Sequence, residues 1–94
     1  MSYEVIFHPS ALKEFDKLPK AVQKRIGEVV DALREEPRPQ GAVKLTGIEA
    51  CRLRVGTYRI AYAIRDERLI VLIVKVAHRS SIYRDIEAIK NRLK

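Results

Sequence analysis

The apolar run LIVLIVKVA at residues 69–77 constrains the fold of this chain more than any other feature. Apart from Lys75, its side chains are apolar at both odd and even positions, whereas a strand with one face in water alternates between apolar and polar residues. The run is far shorter than the roughly 20 residues that a membrane-spanning helix needs. It therefore predicts a central β-strand that is covered on both faces, at least at its start.

Two segments before this run alternate with a period of two. The sequences CRLRV (51–55) and YRIAYAIR (58–65) place bulky apolar residues at one parity and arginine or alanine at the other. Gly56-Thr57 and Asp66-Glu67 supply short turns between the three strands. The pattern predicts consecutive antiparallel strands whose second face carries arginines separated by alanines.

The first part of the chain has helical spacing. A short strand at 3–7 ends at His8-Pro9, and a helix at 9–18 follows, for which Ser10 is the expected N-cap. Residues 20–36 form an apolar stripe at helical spacing, and PRPQG stops that helix. Helical spacing returns at 80–93, with Ser80 or Ser81 as its expected cap.

Together these segments predict one α+β domain over residues 1–94. We expect an N-terminal strand and a helical hairpin packed on an antiparallel sheet of about four strands, with helices on one face and a C-terminal helix. The single cysteine, Cys51, cannot form an internal disulfide, and the N-terminus lacks the pattern of a secretion signal. The sequence thus favours a cytoplasmic protein that is not associated with a membrane.

The positive charge lies in the second half of the chain. Residues 1–43 contain seven basic and seven acidic side chains, whereas residues 44–94 contain twelve basic and five acidic ones. One interpretation is an ordinary solvated basic surface. The other is a face that binds a polyanion, because a concentrated positive field attracts phosphates.

Arginines of the two alternating strands favour the second interpretation. Once helices cover the bulky face, Arg52, Arg54 and Arg59 should form the walls of a shallow basic trough whose floor is Ala61 and Ala63. The central strand should deliver further polar side chains to one end of this trough: Lys75, His78, Arg79 and Tyr83.

The residues near this trough exclude several kinds of chemistry. They include no cluster of carboxylates for Mg²⁺ and no set of cysteine and histidine ligands for Zn²⁺, so no cofactor or metal is expected. The composition instead suits metal-free attack of an RNA 2′-hydroxyl on its adjacent phosphate, with arginines stabilising charge and a side chain relaying protons.

Each of these residues also has a purely structural interpretation. Arg52 and Arg54 could be solvated charges of an edge strand, and His78 could end the central strand through a hydrogen bond. Tyr83 could be a packed helix residue. His8 and Cys51 are expected to be structural.

Four segments in order resemble the RelE/ParE superfamily of toxins from toxin–antitoxin systems, on its RelE side. They are the opening YEVIFHPSALKEFDKLPK, the pattern KL-G at Lys44, the core RLRVG-YRI-Y from Arg52 to Tyr62, and the ending HR---YR from His78 to Arg84. The resemblance implies a toxin that enters the ribosomal A site and cuts messenger RNA, leaving a 2′,3′-cyclic phosphate, until a RelB-like antitoxin wraps around it in a hetero-oligomer.

Carried over position by position, the resemblance implies catalytic roles for Arg59, Arg79 and Tyr83. The basic side chains that we expect to contact RNA are Lys44, Arg52, Arg54, Lys75 and His78. Ribosome-dependent members of the family have lysines, including a proposed general base, in the strand that here reads CRLRV. Arginine stays protonated and is a poor base, which leaves Tyr83, His78, Lys75 or a ribosomal group for that role.

Two other functions remain open on the sequence. A ParE-like relative would poison DNA gyrase without cutting nucleic acid, although such proteins generally lack the arginine and tyrosine set. A degenerate toxin would act only by assembling a repressor with its antitoxin.

Overall fold

A computed structural model describes residues 2–82, 84 and 86–94 of the chain. The elements in chain order are β1 Glu4–Phe7, α1 Pro9–Asp16, α2 Lys20–Ala32, β2 Val43–Lys44, β3 Cys51–Val55, β4 Tyr58–Arg65, β5 Ile70–His78 and α3 Ile86–Arg92. This order confirms the predicted α+β fold. None of the helices in the described part of the chain has the length and apolar character that a membrane span requires.

The sheet has five strands in the order β1-β5-β4-β3-β2. The pairs β2–β3, β3–β4 and β4–β5 are antiparallel, as predicted, but β1 is parallel to β5, with Val5 opposite Val71. The sheet is therefore mixed, because the predicted N-terminal strand joins the edge of the four antiparallel strands in parallel. Local patterns do not reveal this, because β1 pairs with a strand that lies more than sixty residues later in the chain.

Strand β5 is buried on both faces, as its composition predicts. On one face Val71, Ile73 and Val76 pack with residues of α2 such as Ile26 and Val30. On the other face Val74 packs with the C-terminal segment, which includes Ile89 of α3. The expectation that all helices lie on one face is therefore wrong, because α3 covers the face opposite to α1 and α2.

A β-bulge changes the parity of β5 near its middle. Ala61 of β4 lies opposite Lys75 while Tyr62 lies opposite Ile73, so Val74 is the extra residue. As a result, the odd and even positions of β5 exchange sheet faces at the bulge. A simple alternation along the sequence therefore assigns the wrong face to residues on one side of it.

The N-terminus of α1 is capped by a residue other than the predicted one. Nδ1 of His8 accepts a hydrogen bond from the backbone N–H of Ser10 at 3.1 Å. Ser10 lies inside the helix and is not the cap, because the helix already begins at Pro9. His8 is thus structural, as expected.

Candidate functional site

The turn between β3 and β4 collects the basic side chains of one end of the sheet. Gly56 has φ of +61° and Thr57 does not have a positive φ, which is the pattern of a two-residue type II′ turn. Arg54 and Arg59 lie directly opposite each other next to this turn. The backbone N–H of Arg79 donates to the carbonyl oxygen of Thr57 at 2.8 Å, which places Arg79 beside them.

The guanidinium of Arg59 is held by the turn itself. Its Nη1 donates to the carbonyl oxygens of Gly56 at 3.0 Å and of Tyr58 at 2.9 Å. Only 8% of Arg59 is exposed. A planar guanidinium can bind several oxygen atoms at once, and the carbonyl oxygens of the turn fix the orientation of this one.

Sequence reasoning missed a fourth arginine at this turn. A Cβ atom placed on Gly56 would lie 3.2 Å from both terminal guanidinium nitrogens of Arg25, so this side chain of α2 rests on the glycine. Arg25 lies in the charge-neutral half of the sequence, and its helical spacing marks it only as a polar position. We call Arg25, Arg54, Arg59 and Arg79 the turn cluster.

Three members of the turn cluster are not paired with acidic groups. Within residues 2–82, 84 and 86–94, no carboxylate forms an ion pair with Arg25, Arg54 or Arg79. Like charges that are held close together without counter-charges repel each other, and a polyanion relieves this repulsion. The cluster therefore has the electrostatics of an anion-binding site.

Arg52 lies on β3, opposite Ala61 of β4. It is only 8% exposed, and its buried Nε has no hydrogen-bond partner among the described residues. Leaving such a group unpaired costs free energy, so each case in a native structure needs an explanation. A partner that joins only in a complex is one such explanation, which keeps Arg52 among the candidate ligand contacts.

The predicted open trough is closed over most of its length. Ala61 and Ala63 are fully buried, and Ala61 packs in a cluster with Leu45, Ile48, Ile82 and Ile89. Small side chains on a sheet let a covering segment approach closely, so the alanines mark a packing surface and not an open floor. The expectation of an alanine-floored trough is wrong, and the basic surface is confined to the turn end of the sheet.

His78 starts the turn that follows β5. Its Nδ1 accepts from the backbone N–H of Ser80 at 3.2 Å and lies 2.9 Å from the Ser80 hydroxyl. Its ring also packs edge-on against Tyr58, with 5.8 Å between the ring centroids. The side chain is exposed next to the turn cluster, but its Nδ1 is already engaged in hydrogen bonds that stabilise the turn after β5.

Lys75 lies in a different cluster, which joins α1, β5 and α3. Its Nζ donates to Glu14 at 2.9 Å, and Arg92 donates to both carboxylate oxygens of Glu14 at 3.0 and 3.1 Å. The backbone N–H of Val76 also donates to Glu14, at 3.1 Å. We call Glu14, Lys75 and Arg92 the Glu14 cluster. Lys75 is 5% exposed, and this buried ion pair argues against the predicted RNA contact at Lys75.

The carboxylate of Glu14 is stabilised in its charged form. Partial burial alone would raise its pKa, but hydrogen bonds from Arg92, Lys75 and the Val76 N–H outweigh burial and lower the pKa below the ordinary value. Arg92 also donates to the carbonyl oxygen of Val74 at 2.8 Å. The cluster thus satisfies backbone groups beside the bulge of β5 and ties α3 to it.

Lys44 lies away from the turn cluster. It is an exposed residue of β2 opposite Cys51, at the far end of β3 from Gly56, and its Nζ is 3.5 Å from Glu49. Cys51 is half-buried, and burial raises the pKa of its thiol. The structure therefore does not bring Lys44 together with the predicted catalytic arginines.

Tyr83, the third predicted catalytic residue, lies outside the described residues. Its neighbour Arg84 is exposed and donates from Nε to the carbonyl oxygen of Ser80 at 3.1 Å. Over the described ranges, no group of three or more His, Cys, Asp and Glu side chains is arranged to hold a metal ion.

Comparison with known proteins identifies the family of this fold. Residues 5–83 match the family model described as the ParE toxin of the type II toxin–antitoxin system parDE. The chain is 35% identical to the mRNA interferase toxin RelE of Escherichia coli K12, covering 99% of this chain and 100% of the relative. It is also 35% identical to Toxin RelG of Mycobacterium tuberculosis, covering 89% of this chain and 99% of the relative.

Solved structures agree with these relatives. A mutant of the E. coli toxin RelE in the free state superposes with a TM-score of 0.80 at 27% identity, covering 97% of this chain and 98% of the other. The RelE chain of an archaeal RelE–RelB complex from Pyrococcus horikoshii gives a TM-score of 0.75 at 33% identity, covering 84% and 97%. The chain therefore belongs to the RelE/ParE superfamily of type II toxin–antitoxin toxins, on its RelE side.

Proposed function

We propose that this protein is a toxin that cuts messenger RNA in the ribosomal A site. The observation that carries the proposal is the turn cluster, in which three of the four arginines have no carboxylate partner in the described part of the chain. A relative at 35% identity is named an mRNA interferase, which supports the same reaction.

The proposed reaction is attack by an RNA 2′-oxygen on the adjacent phosphorus. The bond from phosphorus to the 5′-oxygen breaks, and the products are a 2′,3′-cyclic phosphate and a 5′-hydroxyl. The proton of the 2′-hydroxyl goes to a base, and the departing 5′-oxygen receives a proton. Arg59 and Arg79 stabilise the charge that develops on the phosphoryl oxygens.

The contacts of Lys75 and His78 make these two residues weaker candidates for the proton-transfer group than the sequence suggests. Lys75 is held in a buried ion pair with Glu14, and Nδ1 of His78 accepts a hydrogen bond from the backbone N–H of Ser80. Tyr83, assigned by its match to the family motif, and groups of the ribosome are the remaining candidates. We propose Tyr83 as the relay.

Metal independence is part of this proposal, because guanidinium groups take the place that a divalent ion would have at the phosphate. A sulfur atom in place of a non-bridging oxygen of the scissile phosphate tests it on the ribosome, which itself needs Mg²⁺. We expect the sulfur to slow cleavage and added Mn²⁺ not to restore the rate. Restoration by Mn²⁺ would indicate a metal at that phosphate.

The proposed partners are the ribosome, messenger RNA and a RelB-like antitoxin, in a cytoplasmic toxin–antitoxin complex. A structure related to this chain is a RelE–RelB complex. Co-expression with the product of a neighbouring reading frame should relieve toxicity and raise the melting temperature. If no adjacent product has either effect, a cognate antitoxin is not encoded there.

In vitro translation with primer extension tests the function itself. The proposal predicts cuts in the A-site codon by the wild type, a large loss in Tyr83→Phe and an unchanged rate in the control Cys51→Ser. The description of the family model as a ParE toxin gives the competing function. Breaks in DNA that depend on gyrase, without cuts in the message, would support that function instead.

A further inference from the structure

Arg25 of α2 extends the site beyond the residues that the family motifs mark. The apolar stripe of α2, which includes Ile26 and Val30, packs against Leu53 and Val55 of β3. This packing fixes the helix beside the strand that leads into the turn at Gly56. Arg25 is the neighbour of the buried Ile26, so its backbone is held over the turn while its side chain stays exposed.

Gly56 provides the space for the Arg25 side chain. Both terminal nitrogens of Arg25 would lie 3.2 Å from a Cβ atom at this position, which is closer than most real contacts of a Cβ. On the same residue, the carbonyl oxygen accepts from Arg59 at 3.0 Å. Two guanidinium groups from different elements therefore approach one glycine, although like charges repel.

We infer that Arg25 binds a phosphate of the RNA strand next to the reacting phosphate, so that the RNA path runs from the sheet onto α2. Arg25 has no ion pair with any described carboxylate, and a second phosphate would neutralise it. This inference rests on the proposed function in one respect, namely that the bound polyanion is RNA. Arg25 holds the strand and takes no part in bond breaking.

Lys24 provides a matched control. It is the preceding residue of the same helix, is exposed and carries the same charge, but its side chain makes no described contact with the turn. The substitutions Arg25→Ala and Lys24→Ala therefore change net charge equally. Any difference between them reports position and not total charge.

The first measurement is the binding of a short fluorescent single-stranded RNA by each protein over a series of salt concentrations. Losing one phosphate contact should reduce the slope of log K against log salt by about 0.7 in Arg25→Ala. Lys24→Ala should keep the wild-type slope, and Arg25→Lys should recover most of it. Equal slopes for Arg25→Ala and Lys24→Ala would overturn the inference.

The second measurement is cleavage on programmed ribosomes by the same variants. We expect Arg25→Ala to raise the toxin concentration needed for half-maximal single-turnover rate, with little change in the rate at saturation. A large loss at saturation would contradict a holding role. If no protein cuts the message but the slopes still differ, the proposed function fails and the RNA contact stands.

Discussion

Two clusters of basic side chains lie in this small domain, and their surroundings differ. In the Glu14 cluster, Lys75 and Arg92 share one carboxylate and are largely buried. In the turn cluster, Arg54 and Arg59 face each other directly, and Arg25 and Arg79 adjoin the same turn. A basic residue with a buried counter-charge stabilises the fold, whereas Arg25, Arg54 and Arg79, which form no ion pair with a described carboxylate, are available to a ligand.

Lys75 belongs to the Glu14 cluster although its position in the sequence suggests the RNA-binding site. Lys75 is three residues from His78 and four from Arg79, so the sequence assigns it to the same site. The acidic partner of Lys75 is 61 residues away in the chain. Its neighbours in space, and not its charge or its place near a motif, separate it from the turn cluster.

The largest expected effect is on catalysis by the turn cluster. Arg59→Lys keeps the charge but loses the planar fork that binds the turn carbonyls and a phosphate together. We expect the single-turnover cleavage rate on programmed ribosomes to fall by roughly 10²-fold or more, with a circular dichroism spectrum like that of the wild type. A wild-type rate would show that position 59 needs only a positive charge.

The next effect is on stability through the Glu14 cluster. Glu14→Gln keeps the size of the side chain but removes the carboxylate charge that pairs with the largely buried Lys75 and Arg92. We expect a loss of about 3 kcal/mol in the free energy of unfolding in urea. A loss below about 1 kcal/mol would mean that the cluster contributes little to the fold.

The same carboxylate should produce a dependence of stability on pH. The pKa of Glu14 is lower in the folded protein than its ordinary value, so its contribution is present above the ordinary value and is lost as the pH falls through the folded pKa. The difference in unfolding free energy between wild type and Glu14→Gln should therefore shrink in acid. A difference that does not change with pH would contradict the lowered pKa.

The smallest effect is expected for Lys75→Met. A large loss arises when a buried charge is left unpaired, whereas in Lys75→Met the carboxylate of Glu14 keeps its two hydrogen bonds from Arg92. We expect the free energy of unfolding to change by at most about 1 kcal/mol. Thermal unfolding of the variant beside Glu14→Gln checks this, and an equal loss in both would show that Lys75 is needed as much as Glu14.

Much of the fold could be predicted from local patterns. The alternation in 51–55 and 58–65 with a two-residue turn between them determines the pairing of β3 with β4, and the apolar run at 69–77 requires cover on both faces. The parallel pairing of β1, the bulge at Val74 and the position of α3 could not be predicted, since each depends on contacts between distant segments.

The candidate site was predictable to a similar degree. Arg54, Arg59 and Arg79 come together because they flank the ends of neighbouring strands, and strand ends are visible in the sequence. Arg25 reaches the same turn from a helix through packing that no spacing encodes. The burial of Ala61 and Ala63 could not be predicted. An alternating pattern does not show whether small residues on one face of a sheet are open to solvent or covered by another segment.

The most direct test of the account removes one cation from each cluster and measures cleavage. Arg79→Ala and Lys75→Met both lower the net charge by one, and their targets lie four residues apart in the chain. Single-turnover cleavage on programmed ribosomes should fall by about 10² to 10³ for Arg79→Ala and should stay at the wild-type rate for Lys75→Met. Equal rates for the two variants, or a greater loss in Lys75→Met, would contradict the assignment of catalysis to the turn cluster.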